Sequence, residues 1–98
     1  MSVVGYVGCN SRATMERQQA EITQCCEKNG WKLAGFLVNR DHLYLRDVVN
    51  AGLVHTLVVA HTNDLPFMYE EDRERLFKAL ADHGAGIVSV SEGEVQPF

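Results

Sequence analysis

The sequence predicts a single α/β domain in three layers, αβα, with a four-stranded, mainly parallel sheet in the middle. Its 98 residues, 46% of them hydrophobic, suit one compact domain covering residues 1–98. Strand-like and helical stretches alternate, and Gly30, Gly52 and Gly84 each follow a helical stretch shortly before the next strand. Glycine often ends a helix because it adopts the left-handed conformation without a Cβ clash. The repeated helix–glycine–strand unit therefore indicates βαβ crossovers and a parallel sheet.

The individual elements follow from hydrophobic periodicity. We predict strands at residues 3–7, 32–38, 54–60 and 87–91, and helices at residues 14–28, 43–51 and 69–83. Residues 57–60 form a continuous apolar run, which suits a strand that is covered on both faces. We expect Gln19 in the first helix and Tyr69 in the third to face the core. The tail 91–98 is either a short fifth strand or a free end.

Composition and charge exclude several classes of protein. Nine Lys and Arg residues stand against thirteen Asp and Glu residues, and the net charge is −4. Because DNA-binding proteins need clustered cations to neutralise phosphates, we expect DNA binding only weakly or through a partner. The chain has no apolar run of 18 residues and no basic leader, so we expect a cytoplasmic protein without a membrane segment.

Neither a metal nor a cofactor is predicted. The cysteines, Cys9, Cys25 and Cys26, lack the spacing of metal ligands, and reduced structural thiols are expected. No glycine-rich nucleotide fingerprint is present. In open parallel sheets, ligands gather at the carboxyl ends of the strands. That rule selects the segments 8–12, 39–42, 61–67 and 91–93.

The opening strand resembles a known family. It reads Tyr6-Val7-Gly8-Cys9-Asn10, where serine recombinases (resolvases and invertases) typically have Tyr-x-Arg-Val-Ser. The helix pattern from Gln18 to Ile22, the Cys26-to-Trp31 stretch and the last strand, residues 86–93, are similar to the same family's catalytic domain. The resemblance covers residues 2–93. It implies a resolvase-like fold of flavodoxin-like βαβ units. The dimer helix and DNA-binding domain that normally follow are expected to be missing from residues 1–98.

The resemblance fails where the family keeps its chemistry. Gly8 stands at the arginine position and Asn10 at the position of the nucleophilic serine. The family's Asp-Arg-Leu-x-Arg corresponds to residues 63–67, Asn-Asp-Leu-Pro-Phe. Because phosphodiester attack needs a hydroxyl nucleophile and cations, we expect no catalytic residues. What remains is a vestigial pocket with these residues: Gly8, Asn10, Gln18, His61, Asn63 and Asp64.

Three functions are compatible with this pattern. The favoured one is a resolvase-like domain that has lost recombination and works through contacts with a protein partner or a second copy. The second is an active recombinase that uses Ser11, with Arg12 and either Arg40 or Arg46 as the remaining cations. We favour Ser11 as a helix cap, which is the commoner role of serine at such a position. The third is a small-ligand module using these strand-end side chains: Asn10, His61 and Asn63.

Overall fold

A computed structural model describes residues 2–9, 11–67 and 69–95. Along these ranges the elements are β1 (Val3–Val7), α1 (Arg12–Lys28), β2 (Leu33–Val38), α2 (His42–Asn50), β3 (Thr56–Val59), a 3₁₀ turn (Thr62–Asp64), α3 (Glu70–Asp82), β4 (Gly86–Ser89) and β5 (Gly93–Val95). The described part thus has the predicted order of strands and helices. It also has the short fifth strand, which was one of two alternatives for the tail.

The five strands form one sheet in the order β2-β1-β3-β4-β5. The first four are parallel, and β5 returns antiparallel to β4. From β1 the chain moves outward to β2, and then moves in the opposite direction to β3 and β4. Because such crossovers are right-handed, the first helix lies on one face of the sheet and the other two lie on the opposite face. This confirms the three-layer αβα prediction.

Each face of the sheet has its own hydrophobic cluster. On the α1 face, Ile22 and Cys26 pack against strand residues that include Val7 and Val58. On the opposite face, α2 and α3 cover a larger cluster centred on Leu57 and continuing into these helix residues: Leu45, Val49, Leu76 and Leu80. The central strand β3 is buried along its whole length, as its continuous apolar run predicts.

The helix ends confirm the role predicted for glycine, whereas two side-chain orientations differ from the prediction. Gly30, Gly52 and Gly84 all have positive φ, and each follows the C-cap residue of one of the three helices. In α1 it is Gln18, not Gln19, that shares the buried face with the core residues. Tyr69 is 68% exposed because it precedes α3 as its N-cap residue instead of lying within the helix. No helix in the described ranges combines the length and the apolar character that crossing a membrane requires.

Candidate functional site

The carboxyl ends of β1 and β2 and the segment after β3 surround an open depression of about 680 Å³. Three of the predicted site residues line it: Gly8, Arg40 and Asp64. The other lining residues are Tyr6, Cys9, Asn39, Asp41, His42, Pro66 and Phe67. All of these residues except Tyr6 lie in the segments that the strand-end rule selects, although only three of them were among the predicted site residues.

Asn39 holds the two neighbouring strand ends together. Its backbone N–H donates to the Val7 carbonyl at 2.8 Å, and its φ of 53° then turns the chain out of the sheet. Asparagine tolerates this left-handed conformation better than most residues. Its side-chain Oδ1 accepts from the Cys9 N–H and its Nδ2 donates to the Cys9 carbonyl, both at 2.9 Å. The amide thereby extends the β1–β2 ladder by one step beyond the backbone pairing.

The segment after β3 closes tightly over Gly8. A Cβ atom built on Gly8 would overlap the carbonyl oxygen of Asp64 and approach the Tyr6 ring at 3.1 Å. Any larger residue at this position, arginine included, therefore requires the backbone near Asp64 to move. Beside this contact, the Tyr6 hydroxyl donates to the Arg40 carbonyl at 2.6 Å. The Tyr6 pKa is raised, mainly by burial and further by the carboxylates of Asp41 and Asp64.

The charges around the depression do not favour a phosphate. The Arg40 guanidinium stacks over the Tyr44 ring, 4.8 Å from its centroid. Asp41 caps α2 by accepting from the Tyr44 N–H at 2.8 Å. Two carboxylates, those of Asp41 and Asp64, thus line the depression together with a single arginine. An anion entering it would meet more negative than positive fixed charge.

His42 connects the depression to the start of α3. Its Nε2 lies 3.4 Å from Oδ1 of Asp72, a carboxylate that is almost fully buried. The other carboxylate oxygen of Asp72 accepts from the Tyr69 N–H at 3.3 Å. Buried carboxylates are normally paired in this way because an isolated buried charge is very costly. The pair joins the first turns of α2 and α3, and the sequence contains no local signal for it.

Ser11 and Arg12 lie outside the depression. The Ser11 hydroxyl accepts from the Thr14 N–H at 3.5 Å and so caps α1, as expected. Its backbone is engaged as well, because its carbonyl accepts the Cys9 thiol at 2.9 Å and its N–H donates to the Cys9 sulfur at 3.3 Å. The Arg12 side chain is 92% exposed and pairs with Glu16 at 3.3 Å. Asn10 lies outside the described residues.

His61 belongs to a separate cluster at the ends of β3 and β4. Oε1 of Glu92 accepts from the Thr62 N–H at 3.0 Å, the Thr62 hydroxyl at 2.9 Å and the Ser89 hydroxyl at 3.1 Å. The Nε2 of His61 lies 3.4 Å from the same oxygen. Its Nδ1 accepts from the Asn63 N–H at 3.0 Å, so the neutral ring carries its proton on Nε2, facing Glu92.

The hydrogen bonds from the Thr62 backbone and hydroxyl are the main reason that the Glu92 pKa is lowered. Burial raises it, while the Ser89 hydroxyl and the charge of His61 lower it further. The network ties the 3₁₀ turn to the turn between β4 and β5. Glu92 was missed as a site residue, although the segment 91–93 was correctly placed at a strand end.

The remaining predicted residues lie elsewhere. Arg46 lines a groove between α2 and α3, together with Arg75 and Lys78. Gln18 is only 4% exposed on the inner side of α1, and its Oε1 has no hydrogen-bond partner. Within the ranges the structure describes, no three His, Cys, Asp or Glu side chains converge as metal ligands would. The structure therefore distributes the predicted pocket over several places.

Comparison with known proteins identifies the fold. No protein-family model matches the chain, and no curated protein matches it either. Solved structures do. A resolvase family site-specific recombinase from Streptococcus pneumoniae superposes with a TM-score of 0.78 at 13% sequence identity, over 95% of this chain and 74% of the recombinase.

Two further solved structures superpose on this chain with slightly lower TM-scores. The N-terminal catalytic domain of TP901-1 integrase has a TM-score of 0.75 at 13% identity, over 95% of this chain and 79% of its own. The C-terminal catalytic domain of ISC1926 TnpA, an IS607-like serine recombinase, has a TM-score of 0.74 at 19% identity, over 92% of this chain and 67% of its own. Since all three likenesses extend over nearly the whole chain, this protein has the fold of serine recombinase catalytic domains.

Proposed function

We propose that this resolvase-like domain does not cut DNA and acts through protein–protein contacts. The observation that carries the proposal is the closure of the segment after β3 over Gly8. The family's arginine position is occupied by a glycine, and the Asp64 carbonyl fills the space where a side chain would begin. The backbone around residue 8 is therefore packed for a glycine. A phosphate-binding arginine at this position would overlap the Asp64 carbonyl.

The other residues around the depression support the same proposal. Attack on a phosphodiester requires a hydroxyl nucleophile and cations that stabilise the charge on the transferring phosphoryl group. The residue at the serine position, Asn10, has no hydroxyl. Ser11 caps α1 and does not line the depression. Loss of a single stabilising donor typically lowers the rate by about 10²–10³, and here the nucleophile is missing as well.

Covalent trapping on DNA tests the loss of cleavage. The purified chain is incubated with supercoiled plasmids that carry a randomised insert, denatured, and assayed for nicked DNA and for protein–DNA adducts. An active serine recombinase with its own site provides the positive control. We expect neither nicking nor an adduct from this chain, and the same result from Ser11→Ala. A phosphoseryl adduct on Ser11 would refute the proposal.

A gain-of-function variant tests the steric argument separately. Gly8→Arg combined with Asn10→Ser restores both residue types that the family uses at these positions. We expect the double variant to remain inactive, because the Asp64 backbone occupies the space for the arginine. Cleavage by this variant would show that the segment after β3 moves aside easily. The interaction half of the proposal is tested by light scattering and pull-down: a strict monomer without any bound protein would contradict it.

A further inference from the structure

The outer edge of β2 is open and apolar. Among the strands that the structure describes, β2 pairs only with β1, and its six residues, Leu-Ala-Gly-Phe-Leu-Val, include no charged residue and no proline. Natural proteins usually protect exposed strand edges with charges, prolines, bulges or covering loops. One irregularity is present, where the register shifts between Val3 and Val4. It affects the start of β2 and leaves residues 35–38 in regular pairing.

The hydrogen bonds to β1 define which backbone groups face away from the sheet. Val7 pairs with Val38, and the Val7 carbonyl accepts from the Asn39 N–H. In this pattern Leu37 and Asn39 direct their backbone groups toward β1. Because the orientation alternates along a strand, the N–H and C=O groups of Phe36 and Val38 point outward. No hydrogen bond from these outward groups occurs within the described residues.

We propose that two copies of this chain pair through β2, antiparallel about a two-fold axis perpendicular to the sheet. In the register that uses the outward groups, Leu37 lies opposite Leu37 of the second copy. Phe36 then exchanges two hydrogen bonds with Val38 of the second copy, and Val38 exchanges two with its Phe36. The self-complementary contact joins two five-stranded sheets into one of about ten strands. This inference rests on the proposed function and names the partner and the surface.

Side chains support this register. Phe36 and Val38 both belong to the face of the sheet that α1 covers, whereas Leu37 belongs to the opposite face. The two hydrogen-bonded pairs therefore bring an aromatic ring beside a β-branched side chain, a favourable cross-strand combination. Shortly after β2 in the chain, at the start of α2, Leu43 and Tyr44 are also exposed. Tyr44 contacts Arg40, two residues beyond β2.

Charge complementarity favours a second copy as the occupant. Lys32 lies immediately before β2 and Asp41 lies shortly after its end. Antiparallel pairing directs the start of β2, with Lys32, toward the segment 40–42 of the other copy. In that segment the Arg40 guanidinium is held over the Tyr44 ring, and the Asp41 carboxylate is the group of opposite charge to Lys32. Pairing through the other edge strand, β5, lacks this advantage. That strand has three residues, and a two-fold axis through its middle would place Glu94 opposite Glu94, where like charges are destabilising.

Hydrogen exchange on the intact chain tests the interface directly. The assay follows amide protection by NMR at increasing protein concentration, together with sedimentation equilibrium. We expect the Phe36 and Val38 amides to gain protection as the dimer forms, because each then donates a hydrogen bond. A dimer in which both amides exchange as freely as in the monomer would refute the proposal.

Two substitutions test it further. Val38→Pro removes an outward N–H without affecting the ladder to β1, and a proline is tolerated at such an edge position. Each dimer loses two hydrogen bonds, so we expect its dissociation constant to rise at least about tenfold. Lys32→Glu should also weaken the dimer, whereas Lys78→Glu, an equal charge change on α3, should not. Equal effects of the two lysine variants would contradict the register, even if Val38→Pro fails to fold.

The outcomes separate this inference from the loss of cleavage. A chain that stays monomeric up to about 1 mM, where pairing contributes less than about 4 kcal/mol, refutes pairing through β2 and leaves the cleavage proposal intact. A phosphoseryl DNA adduct refutes the loss of cleavage and leaves the β2 interface in place.

Discussion

Substituting alanine for Gly8 tests the packing that underlies the proposed function. The new Cβ would overlap the Asp64 carbonyl oxygen and lie 3.1 Å from the Tyr6 ring. Forcing one extra methyl group into a packed site costs about 1–3 kcal/mol. Gly8 is not among the glycines with positive φ, so the backbone itself accepts alanine. The reduced entropy of the unfolded chain then offsets about 0.4–1 kcal/mol. We expect a net loss on the order of 1 kcal/mol, and at most about 2.6 kcal/mol, in the free energy of unfolding.

Urea denaturation measures this loss, with Trp31, the single tryptophan, as the fluorescence probe. The matched control is Gly35→Ala. This glycine also lacks a positive φ, and a Cβ built on it has no atom within 4 Å. We expect the control to be as stable as the wild type or slightly more stable. If Gly8→Ala behaves like Gly35→Ala, the segment after β3 yields without cost. The steric argument against an arginine at residue 8 is then wrong.

Two further predictions concern buried and networked polar groups. Replacing Gln18 with leucine removes a buried oxygen that has no hydrogen-bond partner, so urea denaturation should show a gain of about 1 kcal/mol in the free energy of unfolding. A loss of stability would mean that the Gln18 amide has a partner in solution. The lowered pKa of Glu92 predicts a contribution to stability that is fully present above its ordinary value of about 4.5 and is lost as the pH falls through the lowered value. The melting temperature of Glu92→Gln should therefore depend less on pH in that acidic range than the melting temperature of the wild type. Identical pH profiles of the two melting temperatures would contradict the network.

Most of the fold was predictable because the signals for it are local. Helical and strand periodicity depend on neighbouring residues, and the glycines after α1, α2 and α3 are required by backbone conformation at those positions alone. The largest error in length concerns β3, predicted over residues 54–60 and found at Thr56–Val59. Its flanking residues remain buried or bonded without belonging to the ladder. Val54, for example, is buried, and the His55 N–H donates to the Ser2 carbonyl at 2.9 Å.

The candidate site was predictable only as a location. The carboxyl ends of the parallel strands indicated the edge of the sheet where the depression lies, and Gly8, Arg40 and Asp64 meet there. His61 turns away because its ring caps the 3₁₀ turn and faces Glu92. Arg46 lies between two helices because its position along α2 takes it away from that edge. Sequence spacing does not encode these directions, since they depend on how separate elements pack.

By itself, the sequence determined the order of the elements, the parallel crossovers and the absence of a hydroxyl at residue 10. These properties follow from local periodicity, backbone conformation and residue type. Only the tertiary structure decided that Gly8 lies under the Asp64 carbonyl and that Glu92 receives the hydrogen bonds of the 3₁₀ turn. It also decided which amides of β2 face outward. The physical reason is that contacts between distant segments depend on the path of the loops and the register of the strands, which no local pattern specifies.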